Sequence, residues 1–324
     1  MKHRIAVIPI ALAALVLAGC EGNGAPASAS RQLSAERVAE AEALRLGGHY
    51  EAALLELEQA IAENPALTDA HLTMGEIYSE LGDHAQAEES YGTAARLAPA
   101  NFSAQFNHGL ALQLLNRLGE AVRAYLRALA VEPADPRANL NLATAYLQLG
   151  EPQQALPYAQ RAVRYDADNG AAHVNLGAIL SATGRHAEAV RAYEAAAERM
   201  DPTVPLLLNL AEALGKSGRY DEMINTLEAA NRVEVSSLAY ERIGSARFRL
   251  GDYDGALESF RTAVVVDPTH YPGHNGVAVC LLNRFLQSDR SDREALQGAR
   301  DAMRASLRLN RDQPRVVQLL SRYQ

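Results

Sequence analysis

Residues 251–263 read GDYDGALESFRTA and are followed by Asp267 and Pro268. This stretch is one copy of a repeat, because sliding the chain against itself by about 34 residues aligns its first glycine with four others. The same shift aligns a row of alanines. The other glycines are Gly82, Gly150, Gly184 and Gly218, and the alanines are Ala53, Ala87, Ala121, Ala155, Ala189 and Ala256. A period of this length and content predicts stacked helix-turn-helix units.

The composition agrees with closely packed helices. Of 324 residues, 48% are hydrophobic but only 6% are aromatic, so alanine and leucine must fill most of the core. Each unit of a repeat array contacts only its neighbours, and we therefore expect one structured domain despite the length. The net charge is −8, and the sequence contains no run of Lys and Arg. Both observations argue against nucleic acid as the principal partner.

The N-terminus has the pattern of a targeting segment. Lys2, His3 and Arg4 precede an uncharged apolar run from Ile5 to Ala18. This run of 14 residues is shorter than the roughly 20 residues that span a bilayer, and it favours a secretory signal at residues 1–19.

The run ends in LAGC at residues 17–20, which resembles the lipobox of bacterial lipoproteins. The resemblance implies cleavage before Cys20, a diacylglyceryl group on its thiol and acylation of the new N-terminus, so that the chain is held at a membrane. An ordinary signal with a chance cysteine is the alternative. The residue after Cys20 is Glu21, and not the Asp that would resemble an inner-membrane retention signal of Gram-negative lipoproteins. This difference favours the outer membrane, facing the periplasm. Residues 20–33 are small and polar, and we expect them to form a flexible tether.

The second copy of the repeat carries the family resemblance. It reads HLTMGEIY at residues 71–78, and this closely resembles the tetratricopeptide repeat (TPR) signature, with His71 where the family often has Trp. The resemblance implies an all-α solenoid, a right-handed superhelix of about eight repeats over residues 34–312. In that family the first helix of each unit lines the concave face. Residues 313–324 are expected to form a capping helix, with Val316, Leu319, Leu320 and Tyr323 on one face.

Several copies depart from the pattern. Asn116 takes the place of the turn glycine in the third unit, and Pro157 falls within the second helix of the fourth. The eighth unit has an excess around residues 283–294, which predicts either a longer first helix or a protruding charged loop. Small residues at Gly75, Gly109, Gly177 and Gly244 should let paired helices approach, with Tyr91, Tyr125, Tyr193 and Phe260 filling the space beside them.

The candidate binding residues form a row. Asn107, Asn141, Asn175 and Asn209 each follow the last by 34 residues and stand two positions before the small contact residue. Asparagine amides can pair with the backbone of an extended peptide whatever its side chains. The row resembles the asparagine ladder of some TPR superhelices that bind extended substrates, although Asn is also common here in the family consensus. Beside it we expect an apolar strip of Phe106, Leu140, Val174 and Leu208.

Charges flank the predicted groove. Glu42, Asp69, Glu76 and Glu80 lie in the first two units, whereas Lys216, Arg242 and Arg249 lie in later ones. Arg242 and Arg249 are candidates for holding a peptide carboxylate, although solvated charge is the alternative. The resemblance to carboxylate-clamp TPR domains is incomplete, because the Lys and Asn pair of an early unit is missing.

Residues for chemistry are scarce. His270 and His274 are separated by Tyr271, Pro272 and Gly273, which argues against a zinc site. Cys280 stands where a small apolar residue belongs, and we expect a buried thiol. The sequence contains no phosphate loop, zinc-hydrolase motif or nucleophile elbow. We expect a non-enzymatic protein without metal or cofactor, apart from the lipid on Cys20.

Two functions remain open. The first is a lipid-anchored scaffold that binds extended segments of partner proteins during envelope assembly. The second is a non-catalytic regulatory subunit of a peptidoglycan or polysaccharide enzyme, which would act through the outer face of the solenoid.

Overall fold

The computed structural model describes residues 24–323, which form α-helices joined by short turns. The predicted all-α fold is therefore confirmed. The predicted signal, Cys20 and the beginning of the predicted tether lie outside the described residues. Among the described helices, none has the length and apolar character needed to cross a bilayer.

The chain divides into two compact units between Ala98 and Pro99. One structured domain was expected, but a repeat array has only neighbour contacts and can divide between any two repeats. The first unit contains α1 (Gly24–Leu46), α2 (Tyr50–Glu63), α3 (Thr68–Glu80) and α4 (His84–Leu97).

Helix α1 corrects the predicted tether, because residues 24–33 belong to the helix. Alanine has the highest helix propensity, and extending an existing helix by one residue is much easier than starting a new one. The Ala- and Ser-rich segment therefore continues the helix that the first repeat establishes.

The second unit contains five pairs of similar helices followed by a longer pair and a final helix. The pairs are α5 (Phe102–Leu114) and α6 (Leu118–Val131), α7 (Pro136–Gln148) and α8 (Pro152–Tyr165), α9 (Gly170–Ala182) and α10 (His186–Ala197), α11 (Val204–Lys216) and α12 (Tyr220–Val233), and α13 (Ser237–Leu250) and α14 (Tyr253–Val266). The last elements are α15 (Tyr271–Gln287), α16 (Arg293–Leu309) and α17 (Pro314–Arg322).

The final elements resolve the alternatives for the eighth repeat. Both α15 and α16 have 17 residues, so the excess lengthens the helices and leaves a short connection at residues 288–292. Residues Val316, Leu319, Leu320 and Tyr323 pack against the buried cluster that contains Phe285 and Met303. The predicted capping role of α17 agrees with these contacts.

Two irregular positions behave as expected from their chemistry. Asn116 has φ of 58°, in the left-handed region where six other turns have glycine, and Asn tolerates this region better than most residues. Pro157 is the sixth residue of α8, which nevertheless continues to Tyr165. Since proline has no N–H, the carbonyl of Gln153 lacks its usual helical donor there.

In seven helix pairs, a small residue of the first helix is matched in size with the residue sixteen positions later in the second helix. A Cβ atom added to Gly109 would lie 2.6 Å from the ring of Tyr125, which is 0% exposed. The other glycine-ring pairs are Gly75 with Tyr91, Gly177 with Tyr193 and Gly244 with Phe260. Where the first helix instead has alanine, a smaller residue stands sixteen positions later. These pairs are Ala41 with Leu57, Ala143 with Ala159 and Ala211 with Leu227, all buried. The two positions therefore compensate in volume.

Because the two positions compensate in volume, substitutions at Gly109 and Tyr125 should have non-additive effects on stability. Gly109→Ala should destabilise the second unit by about 1–3 kcal/mol, because the new methyl group overlaps the Tyr125 ring. In a Tyr125→Leu background the same change should cost less by about 1 kcal/mol or more, since Ala with Leu reproduces the pairing of the sixth repeat. Urea unfolding of the four proteins of this double-mutant cycle measures the coupling. Equal costs in both backgrounds would contradict direct contact between the positions.

A second recurring contact explains several polar side chains. The fourth residue of a first helix bonds to a backbone carbonyl six residues earlier in the preceding loop. Nε2 of His173 lies 2.9 Å from the Ala167 carbonyl oxygen, and Nε2 of His274 lies 3.0 Å from that of Pro268. The other examples are His71 with Pro65, Gln105 with Pro99 and Asn139 with Pro133. These histidines therefore have a structural role.

Candidate functional site

The candidate binding surface of the second unit is the face of its first helices. Each ladder asparagine is the sixth residue of a first helix of 13 residues, in α5, α7, α9 and α11. The four amides therefore occupy one register position in four successive repeats. Asn107 and Asn141 are half-buried and Asn209 is exposed, and none of the three makes a side-chain hydrogen bond in the described part of the chain.

Asn175 differs from the other three. Its Nδ2 donates to Oγ1 of Thr144 at 2.9 Å, and this hydrogen bond joins α9 to α7. Its Oδ1 is buried without a hydrogen-bond partner among the described residues. The Asn175 donor therefore supports the packing of α9 on α7, whereas the other three amides have no side-chain hydrogen bond to a described residue.

The predicted apolar strip is only partly available. Phe106 is 8% exposed, and its ring stacks on Phe102 at 5.5 Å and lies 6.0 Å from Tyr125. The prediction that Phe106 lines an open strip is thus wrong. Phe102 stands one helical turn earlier, and Gly109 lets Tyr125 come close, so Phe106 becomes part of the core. The Arg137 guanidinium lies 5.2 Å from the Phe106 ring centre and covers it further.

The three remaining strip residues are half-buried. Val174 and Leu208 pack against the buried cluster that contains Leu180 and Leu210. Leu140 is also half-buried. Some apolar surface therefore remains beside the asparagines, but it is narrower than the sequence suggested.

Arg242 and Arg249 have different surroundings. Arg242 lies 3.6 Å from the Glu212 carboxylate and 3.4 Å from the Leu208 carbonyl oxygen, which ties it to the preceding repeat. Arg249 is exposed, and its guanidinium lies 5.9 Å from the ring centre of Tyr220. Of these two arginines, only Arg249 has no ion pair with a described residue.

Two adjoining depressions lie beside these arginines. The larger, which we name the α13–α15 cavity, has a volume of about 750 Å³ and apolar walls from Phe248, Phe260, Pro272 and Val279. The smaller, which we name the α11–α13 cleft, has a volume of about 430 Å³. Tyr220, Ser245 and Arg249 line both, so the two share a boundary.

The cavity has a cause in the repeat pattern. Arg242 and Gly276 each stand two positions before the small contact residue, which is the place of the ladder asparagines in earlier units. A Cβ atom at Gly276 would lie 2.1 Å from the Phe260 ring. With glycine there, the Phe260 ring packs closely against α15, and both residues line the cavity. The sequence signal for this cavity is the end of the asparagine row, where Arg242 and Gly276 replace Asn.

The cleft is cationic. It is lined by Lys216, Arg242 and Arg249 but by a single carboxylate, that of Glu212. Lys216 and Arg249 form no ion pair with any described residue. Apart from Lys2, Lys216 is the only lysine in the sequence.

In the first unit, three of the four predicted acidic residues surround an arginine. Arg45 lies 2.6 Å from Glu42 and 3.5 Å from Glu76, and it also pairs with Glu80. Hydrogen bonding to Arg45 holds the pKa of Glu42 below its ordinary value, whereas burial raises the pKa of Glu76. Much of the acidic charge there is therefore neutralised within the unit.

The residues that could carry catalysis or bind metal are dispersed. Within residues 24–323, no three His, Cys, Asp or Glu side chains are grouped as metal ligands would be. Cys280 is a buried free thiol, and burial raises its pKa to about 11. A thiol in that state is a poor nucleophile at neutral pH.

Comparison with known families places this architecture. Three models match: a tetratricopeptide repeat model at residues 140–205, 208–275 and 241–314, a TPR repeat model at 109–150 and another tetratricopeptide repeat model at 44–107. Because the first of these alone covers more than half of the sequence, the chain belongs to the tetratricopeptide repeat family. Proteins of this family are scaffolds for protein interactions, and the matched models describe structural repeats.

Solved structures agree with the fold. The pilus biogenesis factor PilW is 26% identical, with a TM-score of 0.50 over 61% of this chain and 93% of PilW. PilF of Pseudomonas aeruginosa is 20% identical, with a TM-score of 0.55 over 67% of this chain and 99% of PilF. A tetratricopeptide repeat protein of Parabacteroides merdae is 16% identical, with a TM-score of 0.53 over 77% and 99%. No curated protein sequence matches.

Proposed function

We propose that this protein is a lipid-anchored, non-catalytic scaffold whose first-helix face binds extended segments of partner proteins in the bacterial cell envelope. The observation that carries the proposal is the repeated amide at the sixth position of α5, α7, α9 and α11. Three of these amides have no side-chain hydrogen bond, and they can donate to and accept from a peptide backbone.

The location rests on the N-terminal sequence. The LAGC motif directly after the apolar run supports lipid attachment at Cys20, and Glu21 supports the outer membrane, facing the periplasm. PilW, described as a widely conserved type IV pilus biogenesis factor, supports a role in envelope assembly. The other solved structures have lower identity and support the fold alone.

Site-specific photocrosslinking in membranes tests the proposal. A photoreactive residue replaces Asn141 on the first-helix face or Ser288 at the end of α15 in the full-length chain. We expect a defined partner to be captured from position 141 and not from position 288. Capture from position 288 alone would move the function to the irregular eighth repeat and favour the regulatory-subunit alternative.

Alanine substitutions complete the test. Asn107, Asn141 and Asn209 are replaced together, while Asn175 is retained because its bond to Thr144 supports the fold. Binding of the captured partner should fall by about tenfold or more, with an unchanged circular dichroism spectrum. Arg191→Ala on α10, an exposed change outside the first-helix face, is the control. Unchanged binding by the triple variant would overturn the role of the asparagines.

A further inference from the structure

We infer that the α13–α15 cavity and the α11–α13 cleft together bind one extended segment of a partner protein, which carries a bulky apolar side chain and a nearby acidic group. This inference rests on the proposed scaffold function and specifies the ligand of one part of the first-helix face. Four observations support it: the apolar walls of the cavity, the unpaired cations of the cleft, the position of an acidic residue in the cavity alone, and the tyrosine that lines both depressions.

The cavity is suited to an apolar anchor. Its volume of about 750 Å³ lies in the range of ligand pockets and accommodates an aromatic or leucine side chain. The half-buried Phe248 and the 42% exposed Val279 offer most of the apolar surface, and Phe260, which is 5% exposed, contributes a small part. Burying one large side chain against such walls is the usual origin of the strongest contacts in a protein interface.

The cleft is suited to a carboxylate. Lys216 and Arg249 are exposed and have no acidic partner in the part of the chain that the structure describes. Arg242 is engaged with Glu212, so it holds that carboxylate rather than a ligand. A carboxylate between Lys216 and Arg249 would form charge-assisted hydrogen bonds, which are stronger than neutral ones.

The charges also fix the order of the two groups. Glu241 lines the cavity but not the cleft, and it accepts a hydrogen bond from Ser245 Oγ at 3.0 Å. Its carboxylate disfavours an acidic ligand group in the cavity. The apolar side chain therefore lies between α13 and α15, and the acidic group lies towards α11.

Tyr220 stands where the two depressions meet. It lines both, and its ring lies under the Arg249 guanidinium. A segment that fills both must therefore pass along this ring. The acidic group can come from an Asp or Glu side chain or from the C-terminal carboxylate of the partner, because both present the same two oxygens to Lys216 and Arg249.

The test uses random nine-residue peptides displayed on phage, with the full-length protein in detergent micelles as the target. One library has the peptides within a loop, and the other presents a free C-terminus. We expect enriched peptides to share a Phe, Tyr, Trp or Leu near an acidic group. Enrichment of Asp and Glu in the loop library identifies a side-chain carboxylate, whereas enrichment confined to free C-termini identifies the terminal one.

Variants locate the binding site of the enriched peptides. Val279→Asp places a charge at the cavity rim, and Lys216→Glu and Arg249→Glu reverse the charge of the cleft, each at an exposed position. We expect each change to weaken peptide binding by about tenfold or more in fluorescence polarisation. Val265→Asp and Arg261→Glu make the same chemical changes on α14, outside both depressions, and should leave binding unchanged.

Three outcomes would overturn the inference. These are enriched peptides without the apolar and acidic pair, equal binding by the cavity variants and their controls, and no enrichment over the Val279→Asp protein. The proposed scaffold function is judged separately, by capture from position 141. Capture there together with any of these outcomes would leave the scaffold function standing and remove this ligand assignment.

Discussion

Replacement of Cys20 by serine should abolish lipid attachment to the chain. A serine hydroxyl cannot form the thioether that holds the diacylglyceryl group, and each methylene of a buried acyl chain contributes about 0.8 kcal/mol to membrane binding. In cells grown with an alkyne-tagged fatty acid, the wild-type protein should be labelled and should sediment with membranes. The Cys20→Ser protein should carry no label.

A second variant separates the lipid from the signal. An uncleaved signal would itself retain the chain at a membrane, so residues 1–20 are also replaced by a cleavable secretory signal that ends before Glu21. This protein should appear in the soluble periplasmic fraction. Cys280→Ser, which changes the only other cysteine, should keep both label and sedimentation. Label that persists in Cys20→Ser but is lost in Cys280→Ser would contradict the assignment.

Tyr125→Ala should destabilise the second unit by about 3–5 kcal/mol, the usual cost of removing a large buried ring. The ring is 0% exposed, fills the space above Gly109 and contacts Phe106. Burial also raises the pKa of the Tyr125 hydroxyl, which stays protonated and donates to Gln113 Oε1 at 2.8 Å. Urea unfolding followed by circular dichroism measures the loss, with hydrogen exchange to locate it, because repeat arrays need not unfold in one step.

Two matched variants divide this effect. Tyr125→Phe keeps the ring and removes only the hydroxyl, so it should cost about 1 kcal/mol. Tyr165→Ala removes the same side chain from a position that is 44% exposed, and it should change stability by less than about 0.5 kcal/mol. A loss below about 1 kcal/mol in Tyr125→Ala would show that the ring is not the main contact between α5 and α6.

Features set by neighbours along the chain were predictable from the sequence. The left-handed turn at Asn116 depends on four or five residues, and the pairing of Gly109 with Tyr125 depends on a spacing of sixteen. Such spacings recur in successive repeats, so the structure expected for one repeat can be applied to the next. The hydrogen bonds of His173 and Asn139 to loop carbonyl oxygens also repeat. They could not be predicted, because the sequence does not give the positions of those carbonyls.

Features that depend on how two repeats rotate against each other were not predictable in this way. Thr144 satisfies the Asn175 donor from 31 residues away, and Phe106 is covered by Arg137 from the next repeat. The α13–α15 cavity likewise needs Phe260, Gly276 and Phe248 from three helices. Small changes in the distance or angle between those helices would fill the cavity, and no local sequence pattern determines that distance or angle.

The solitary position of Lys216 makes the cleft chemically addressable. Once residues 1–19 are removed, this side chain carries the one primary ε-amine of the chain. If the new N-terminus is acylated, as the lipobox implies, an amine-selective dye, isotope tag or crosslinker would therefore report on the cleft at a single site of the chain without any engineered residue. A ligand seated between Lys216 and Arg249 would shield that amine, so the extent of labelling would measure occupancy of the natural protein in its own membrane.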